Sequence, residues 1–143
     1  MRINDVLASK GSAEVITITP DASVRELLGL LAEHNVGAVV VSADGQAVDG
    51  IVSERDVVRS LHDDESILDG AVSTIMTSEV QTCEPSTPLD DLRMLMTQRR
   101  IRHVPVVSAG RLTGIISIGD VVKSSLDQLQ FERDQLDSYV HQT

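Results

Sequence analysis

The chain has 143 residues, 41% of them hydrophobic and only 1% aromatic, with a net charge of −10 from 22 acidic and 12 basic side chains. That length holds one domain, or two small subdomains around a shared aliphatic core, and the acidic balance excludes nucleic acid as a bulk partner because phosphate backbones demand a basic face. The single cysteine, Cys83, excludes an internal disulfide and an all-cysteine metal site; no apolar run reaches membrane-spanning length and Met1-Arg2-Ile3-Asn4-Asp5 carries no signal-peptide core, so a cytoplasmic protein without membrane contact is expected.

In chain order, Val15 to Ile18 reads as a short β-branched strand broken by Pro20 and Asp21. Val24, Leu27, Leu28 and Leu31 form one helical stripe, which Asn35 or Gly37 ends. Ala38 to Val41 is a continuous apolar run, expected as a strand buried on both faces. Asp44-Gly45 signals a turn, Val48 to Val52 a returning strand, and Asp56 to Leu61 a second helix. The polar stretch from His62 to Gly70 reads as a linker, and Val72, Ile75 and Met76 as a short amphipathic turn.

The pattern then repeats. Val80 to Cys83 is the expected strand, Leu89 to Arg99 the helix, His103 to Val107 and Leu112 to Ile116 two strands around an Ala109-Gly110 turn. Thr87 is the expected cap of the helix, with Pro88 at its first position. Pro20 and Pro85 stand 65 positions apart, and Asp56 and Asp120 stand 64 apart, so a single one-residue deletion aligns the copies. The last helix, from Val121 through Leu126, Leu129, Leu136, Tyr139 and Val140, outruns its counterpart. Surplus amphipathic helix of this kind covers a face or pairs with a partner.

The expected fold is therefore α/β (α+β): two β-α-β-β-α repeats packed about a pseudo-two-fold axis, with an extended C-terminal helix. Repeat one spans 3–62, the linker 63–71, repeat two 72–126 and the helical extension 127–143. Two half-sheets packed this way leave two clefts between them, where small ligands bind.

Each copy closes with the same phrase, Gly50-Ile51-Val52-Ser53-Glu54-Arg55-Asp56 and Gly114-Ile115-Ile116-Ser117-Ile118-Gly119-Asp120. Ser53 with Asp56, and Ser117 with Asp120, satisfy a helix capping pattern. An ionised aspartate also offers two acceptor oxygens, which suit the vicinal hydroxyls of a ribose, and a helix N-terminus favours phosphate. Arg102 and His103, at the entry to a buried strand, are either solvated helix-end residues or phosphate contacts. Their counterparts Gly37-Ala38 carry no charge, so the two clefts should differ. No Walker loop, HExxH motif or metal-ligand pair is found among His34, His62, His103 and His141, and a non-enzyme is expected.

These repeats and their closing phrases, with Asn35-Val36-Gly37-Ala38-Val39-Val40-Val41 and Arg100-Ile101-Arg102-His103-Val104-Pro105-Val106, resemble a tandem CBS-domain pair, or Bateman module, over about residues 3 to 126. The stretch from Arg100 to Val122 with its tail is similar to stand-alone CBS-pair proteins of bacteria and plant organelles. The resemblance implies a regulatory sensor of adenosyl ligands: AMP, ADP, ATP, in some members NAD(H) or S-adenosylmethionine. By that resemblance Asp56 and Asp120 hold ribose hydroxyls beside Ser53 and Ser117. Thr17 and Thr82 line the clefts, and Val36 and Ile101 flank the adenine. Arg102 and His103 contact phosphate in the Asp56 cleft, and Arg55 serves the other. It also implies a homodimer acting on an unnamed regulated protein. The alternative is a dimeric scaffold with no physiological nucleotide.

Overall fold

The computed structural model describes residues 1–11 and 15–141. The last two residues of the expected extension lie outside them. The elements are α1 (Ile3–Ser9), β1 (Thr17–Ile18), α2 (Val24–His34), β2 (Ala38–Val41), β3 (Gly50–Ser53), α3 (Glu54–Asp63), α4 (Leu89–Arg99), β4 (His103–Ser108), β5 (Arg111–Ser117) and α5 (Ile118–Val140). Short 3₁₀ turns at Glu65–Asp69 and Val72–Thr74 occupy the join between the copies. This is the mixed α/β architecture the sequence predicts.

In copy one, β1 runs parallel to β2, and β2 pairs antiparallel with β3, with Val40 opposite both Thr17 and Ile51. All four residues of β2 are buried, as an uninterrupted aliphatic run in the middle of a covered sheet should be. In copy two, β4 and β5 form an antiparallel hairpin with a register shift at Val106/Val107. Ala109 and Gly110 make its turn with φ of 52° and 77°, the paired positive φ that a tight two-residue hairpin requires.

Several sequence expectations are corrected. Val80–Cys83 is no strand: only Cys83 bridges β4, at Val106. Its amide donates to the Pro105 carbonyl at 3.0 Å and its carbonyl accepts from Val107 at 2.8 Å. The next rung toward residue 81 would need an N–H from Pro105, which has none. Thr87 does not cap α4. Its hydroxyl accepts from the Glu84 amide at 3.0 Å, Pro88 takes the cap position, and the Leu89 amide donates to the Met1 carbonyl at 3.0 Å. The first strand begins at Thr17 rather than Val15, and the returning strand spans Gly50–Ser53. The helices α3 and α5 begin at Glu54 and Ile118, ahead of the expected Asp56 and Val121, because Ser53 and Ser117 are their caps.

One element was not anticipated. α1 is a full two turns, and Ile3, Val6 and Leu7 pack into the core of copy two, among Leu89, Leu92, Met96, Val104, Val106 and Ile116. In the same way Val72, Ile75 and Met76, which lead into copy two, pack into the core of copy one with Val24, Leu27, Val39, Val41 and Val52. The two leads match residue for residue, Ile3, Val6 and Leu7 against Val72, Ile75 and Met76, each pair 69 positions apart. Arg2 bridges Pro88 just as Ala71 bridges Ser23. Each repeat is thus sealed by the segment that precedes the other.

The motif glycines sit under these crossings. A Cβ on Gly50 would lie 2.6 Å from Met76 Sδ and 2.9 Å from the Thr77 carbonyl oxygen; one on Gly114 would lie 2.6 Å from Leu7 Cδ2. Cys83 is buried in the copy-two core, and burial pushes its thiol up to about 11, so it is a protonated, apolar filler at neutral pH.

Candidate functional site

The two strand-to-helix junctions are built alike. The Ser53 amide donates to Asp56 Oδ2 at 2.8 Å, the Ser53 hydroxyl donates to the same oxygen at 3.1 Å, and the Asp56 amide donates back to Ser53 Oγ at 3.4 Å. The Ser117 amide donates to Asp120 Oδ2 at 2.9 Å and the Asp120 amide to Ser117 Oγ at 3.1 Å. Both are complete capping boxes. The first amide of each helix also reaches the start of a central strand. Glu54 N–H donates to the Gly37 carbonyl at 3.0 Å and Ile118 N–H to the Arg102 carbonyl at 2.8 Å. The capping reading of each Ser/Asp pair is therefore correct, and it uses only Oδ2. Oδ1 of Asp56 and of Asp120 accepts no hydrogen bond from the described residues.

A cavity of about 420 Å³ opens between the copies. Copy one contributes Gly37, Ala38, Ile51 and the start of α3 with Ser53, Glu54, Arg55, Asp56 and Arg59; copy two contributes Thr77, Glu79, Val80 and Gln81, the run Arg100 to His103, and Ile118. Its volume falls in the range of small-molecule sites. Four arginines and His103 face three acids, Glu54, Asp56 and Glu79, so the cavity is a local basic site in an acidic chain. Its wall offers a carboxylate junction on one side and guanidinium forks on the other.

Of the sequence-predicted residues, Ser53, Arg55, Asp56, Ile101, Arg102 and His103 line this one cavity. Thr17, Val36, Thr82, Ser117 and Asp120 lie outside its wall. Thr17 pairs with Val40 in the sheet, Val36 packs on the copy-one core, and Thr82 is exposed beside the Cys83 bridge. Ser117 and Asp120 form the second junction, where Lys10 Nζ sits 2.8 Å from Asp120 Oδ2. Arg55 shares the cavity with Asp56, not with Asp120.

Arg59, Arg100, Glu54 and Glu79 were missed. Arg59 was within reach of the sequence, because it follows Arg55 by one helical turn. Arg100 closes α4 at φ 53°, in the left-handed region, and Asn35 closes α2 at φ 51°. Asparagine tolerates that conformation; arginine is held in it at a cost. Arg100→Asn is accordingly expected to stabilise the fold by about 0.5–1 kcal/mol in urea unfolding while weakening anion binding in the cavity. Unchanged or lower stability would show that the left-handed turn carries no strain.

His103 lies across the interface. A Cβ on Gly37 would meet its Cε1 and Nε2, and Glu54 Oε1, each at 3.6 Å. Burial pulls the His103 imidazole below its ordinary range, against the opposing pull of Glu54 and Asp120. It is therefore neutral at pH 7, with one donor and one acceptor nitrogen. Partial burial works to raise the Asp120 carboxyl, but the hydrogen bonds from Lys10 and Ser117 outweigh it and hold the group below the usual carboxylate range.

Comparison with known proteins fits this arrangement. The sequence profile of the CBS domain matches twice, at residues 4–63 and 72–127. The CBS domain-containing protein CBSX3, mitochondrial, of Arabidopsis thaliana is 36% identical over 146 residues, covering 96% of this chain and 71% of its own length. The crystal structure of the CBS-domain containing protein ATU1752 from Agrobacterium tumefaciens superposes with a TM-score of 0.83 at 45% identity, covering 87% of this chain and 99% of that one. CBS domain protein PAE2072 from Pyrobaculum aerophilum, complexed with AMP, superposes with a TM-score of 0.74 at 30% identity, covering 84% and 89%. Two matched repeats, one shared fold and an inter-repeat cavity lead to one assignment: the chain belongs to the CBS domain family, as a tandem pair of CBS domains.

Proposed function

We propose that the chain is a regulatory module that binds an adenosine nucleotide, AMP foremost, in the Asp56 cavity and changes its affinity for a partner protein with occupancy. The observation that carries this reading is the meeting, in one cavity, of the Ser53–Asp56 junction of copy one with Arg100, Arg102 and His103 of copy two. In the proposal Asp56 accepts the ribose hydroxyls through its uncommitted Oδ1, Ile101 packs on the adenine, and Arg102 and His103 take the phosphate. The AMP complex of PAE2072 supports the ligand class. Because the cavity walls come from both copies, a ligand that bridges them favours one relative placement over others, which is how binding becomes a signal. The role is regulatory, not catalytic.

AMP at about 100 times its dissociation constant is expected to add roughly 2.7 kcal/mol of stability, read as a rise in Tm. No shift with AMP, ATP, NAD or S-adenosylmethionine would sink the reading. ATP or NAD shifting Tm more than AMP would keep the site and replace the ligand.

Homodimerisation is the second part of the proposal. α5 runs 23 residues, about 35 Å, and no helix among the described residues is long and apolar enough to cross a membrane. Beyond Val121 and Ser124 it stands clear of the core, with Val122, Leu126, Leu129, Leu136 and Val140 all more than half exposed. These recur in alternating steps of four and three with Arg133 in the one remaining place, the spacing of a two-helix seam. Leu126→Asp with Leu129→Asp is expected to convert a dimer to a monomer in sedimentation velocity without lowering the monomer's helix content. A dimer that persists would place the interface elsewhere.

A further inference from the structure

The two junctions share the capping-box bonds and the bond from the first helix amide to the strand entry, and differ in what reaches the aspartate. Lys10 stands three residues after Leu7, and Glu79 three residues after Met76, so they hold matching places in the exchanged leads. Glu79 lines the Asp56 cavity. Lys10 places Nζ 2.8 Å from Asp120 Oδ2 and donates to the Ile115 carbonyl at 2.7 Å. The pair is partly shielded from solvent, with side chains 29% and 22% exposed. Asp56 forms no ion pair among the described residues.

We propose that Lys10 decides which junction takes a ligand: its ammonium, seated on Asp120 Oδ2, neutralises the carboxylate whose charge a ribose diol on Oδ1 would need, so the second junction is a weak acceptor and the first a strong one. This rests on the reading that junction aspartates accept ribose hydroxyls. A vicinal diol offers neutral donors, whereas the ammonium is a charge-assisted donor anchored a second time on Ile115. Ligand binds best in the fraction of molecules in which Lys10 has left, and the apparent dissociation constant rises as that fraction falls. The cation that guards Asp120 is supplied by the lead of copy one. Glu79, at the matching place, would repel a carboxylate rather than neutralise it, so Asp56 stays available.

The test is a titration of the full chain with adenosine, followed by amide chemical shifts at Asp56 and at Gly119–Asp120. In the unmodified protein the Asp56 region responds first. In Lys10→Met, which keeps the unbranched stem, the Asp120 region is expected to respond at least about five-fold earlier, the scale of one partly buried ion pair. An unchanged or later response there would overturn the proposal while leaving the Asp56 site intact. No response at either junction in any variant would overturn the nucleotide reading and this proposal with it. Amine labelling reads the contact without ligand: Lys10 should react several-fold more slowly than Lys123, the chain's other lysine, and Asp120→Asn should remove the difference. Equal rates in the unmodified protein would also overturn it.

Discussion

Arg102→Ala is expected to weaken AMP binding roughly 10- to 100-fold, the value of a charge-assisted phosphate contact, while leaving adenosine binding within about two-fold. The split follows from where Arg102 stands. Its carbonyl is pinned to the α5 N-terminus by Ile118 and its side chain belongs to the cavity wall, so the substitution removes a guanidinium without moving the strand. Asp56→Asn gives the converse. Asparagine can still accept the Ser53 amide, which preserves the cap, but it loses the charge that favours a diol, and AMP and adenosine should weaken together. Calorimetric titration of both ligands against both variants separates the roles. Equal losses of AMP and adenosine in Arg102→Ala would make Arg102 a structural residue and sink the phosphate assignment.

The second large effect is on stability. Gly50→Val is expected to cost about 2–3 kcal/mol and to lower Tm by roughly 5–10 °C. The obstacle is backbone: the Thr77 carbonyl oxygen would lie 2.9 Å from a Cβ, and that carbonyl accepts the Ile51 amide at 3.0 Å while Thr77 donates back at 2.9 Å. Met76 can swing its sulfur away, but the bridge between Ile51 and Thr77 cannot open without freeing the lead that seals copy one. Gly114→Ala meets only the flexible end of Leu7 and should cost about 1 kcal/mol or less. Urea unfolding of the two variants checks the order. A Gly114→Ala protein as unstable as Gly50→Val would mean that Leu7 is held as rigidly as backbone.

What could be read from the sequence was local. The end of α2 at Asn35, the central strands and the Ser/Asp caps carry their signals within a few residues, and both junctions stand where the repeat puts them. The meeting of Asp56 with Arg102 and His103 in one cavity was implied by the resemblance to a CBS-domain pair and by nothing local to either segment. α1 was not legible. It is only seven residues long, and the face it covers lies a hundred residues away at Gly114. Its kinship with the second lead is masked because the leads are offset by 69 positions and the repeats proper by 65. The Lys10–Asp120 ion pair is hidden for the same reason: nothing near either residue points to the other. The over-read strand at Val80–Cys83 shows the opposite error. Apolar pattern marks a strand by its own side chains, whereas Pro105 removes the donor on its neighbour.

The exchanged leads also set an order of events during synthesis. Residues 16–77 hold everything the copy-one core needs in one continuous piece, so that half can close as soon as Thr77 is clear of the ribosome. α1 is made before all of it and has no core to enter until β5 appears, about a hundred residues later, on the order of ten seconds at ordinary elongation rates. Throughout that wait Ile3, Val6 and Leu7 are an apolar thread hanging from a finished half. α1, made before the elements that follow it, is thus among the last to fold, and it stands to gain from a chaperone while it waits.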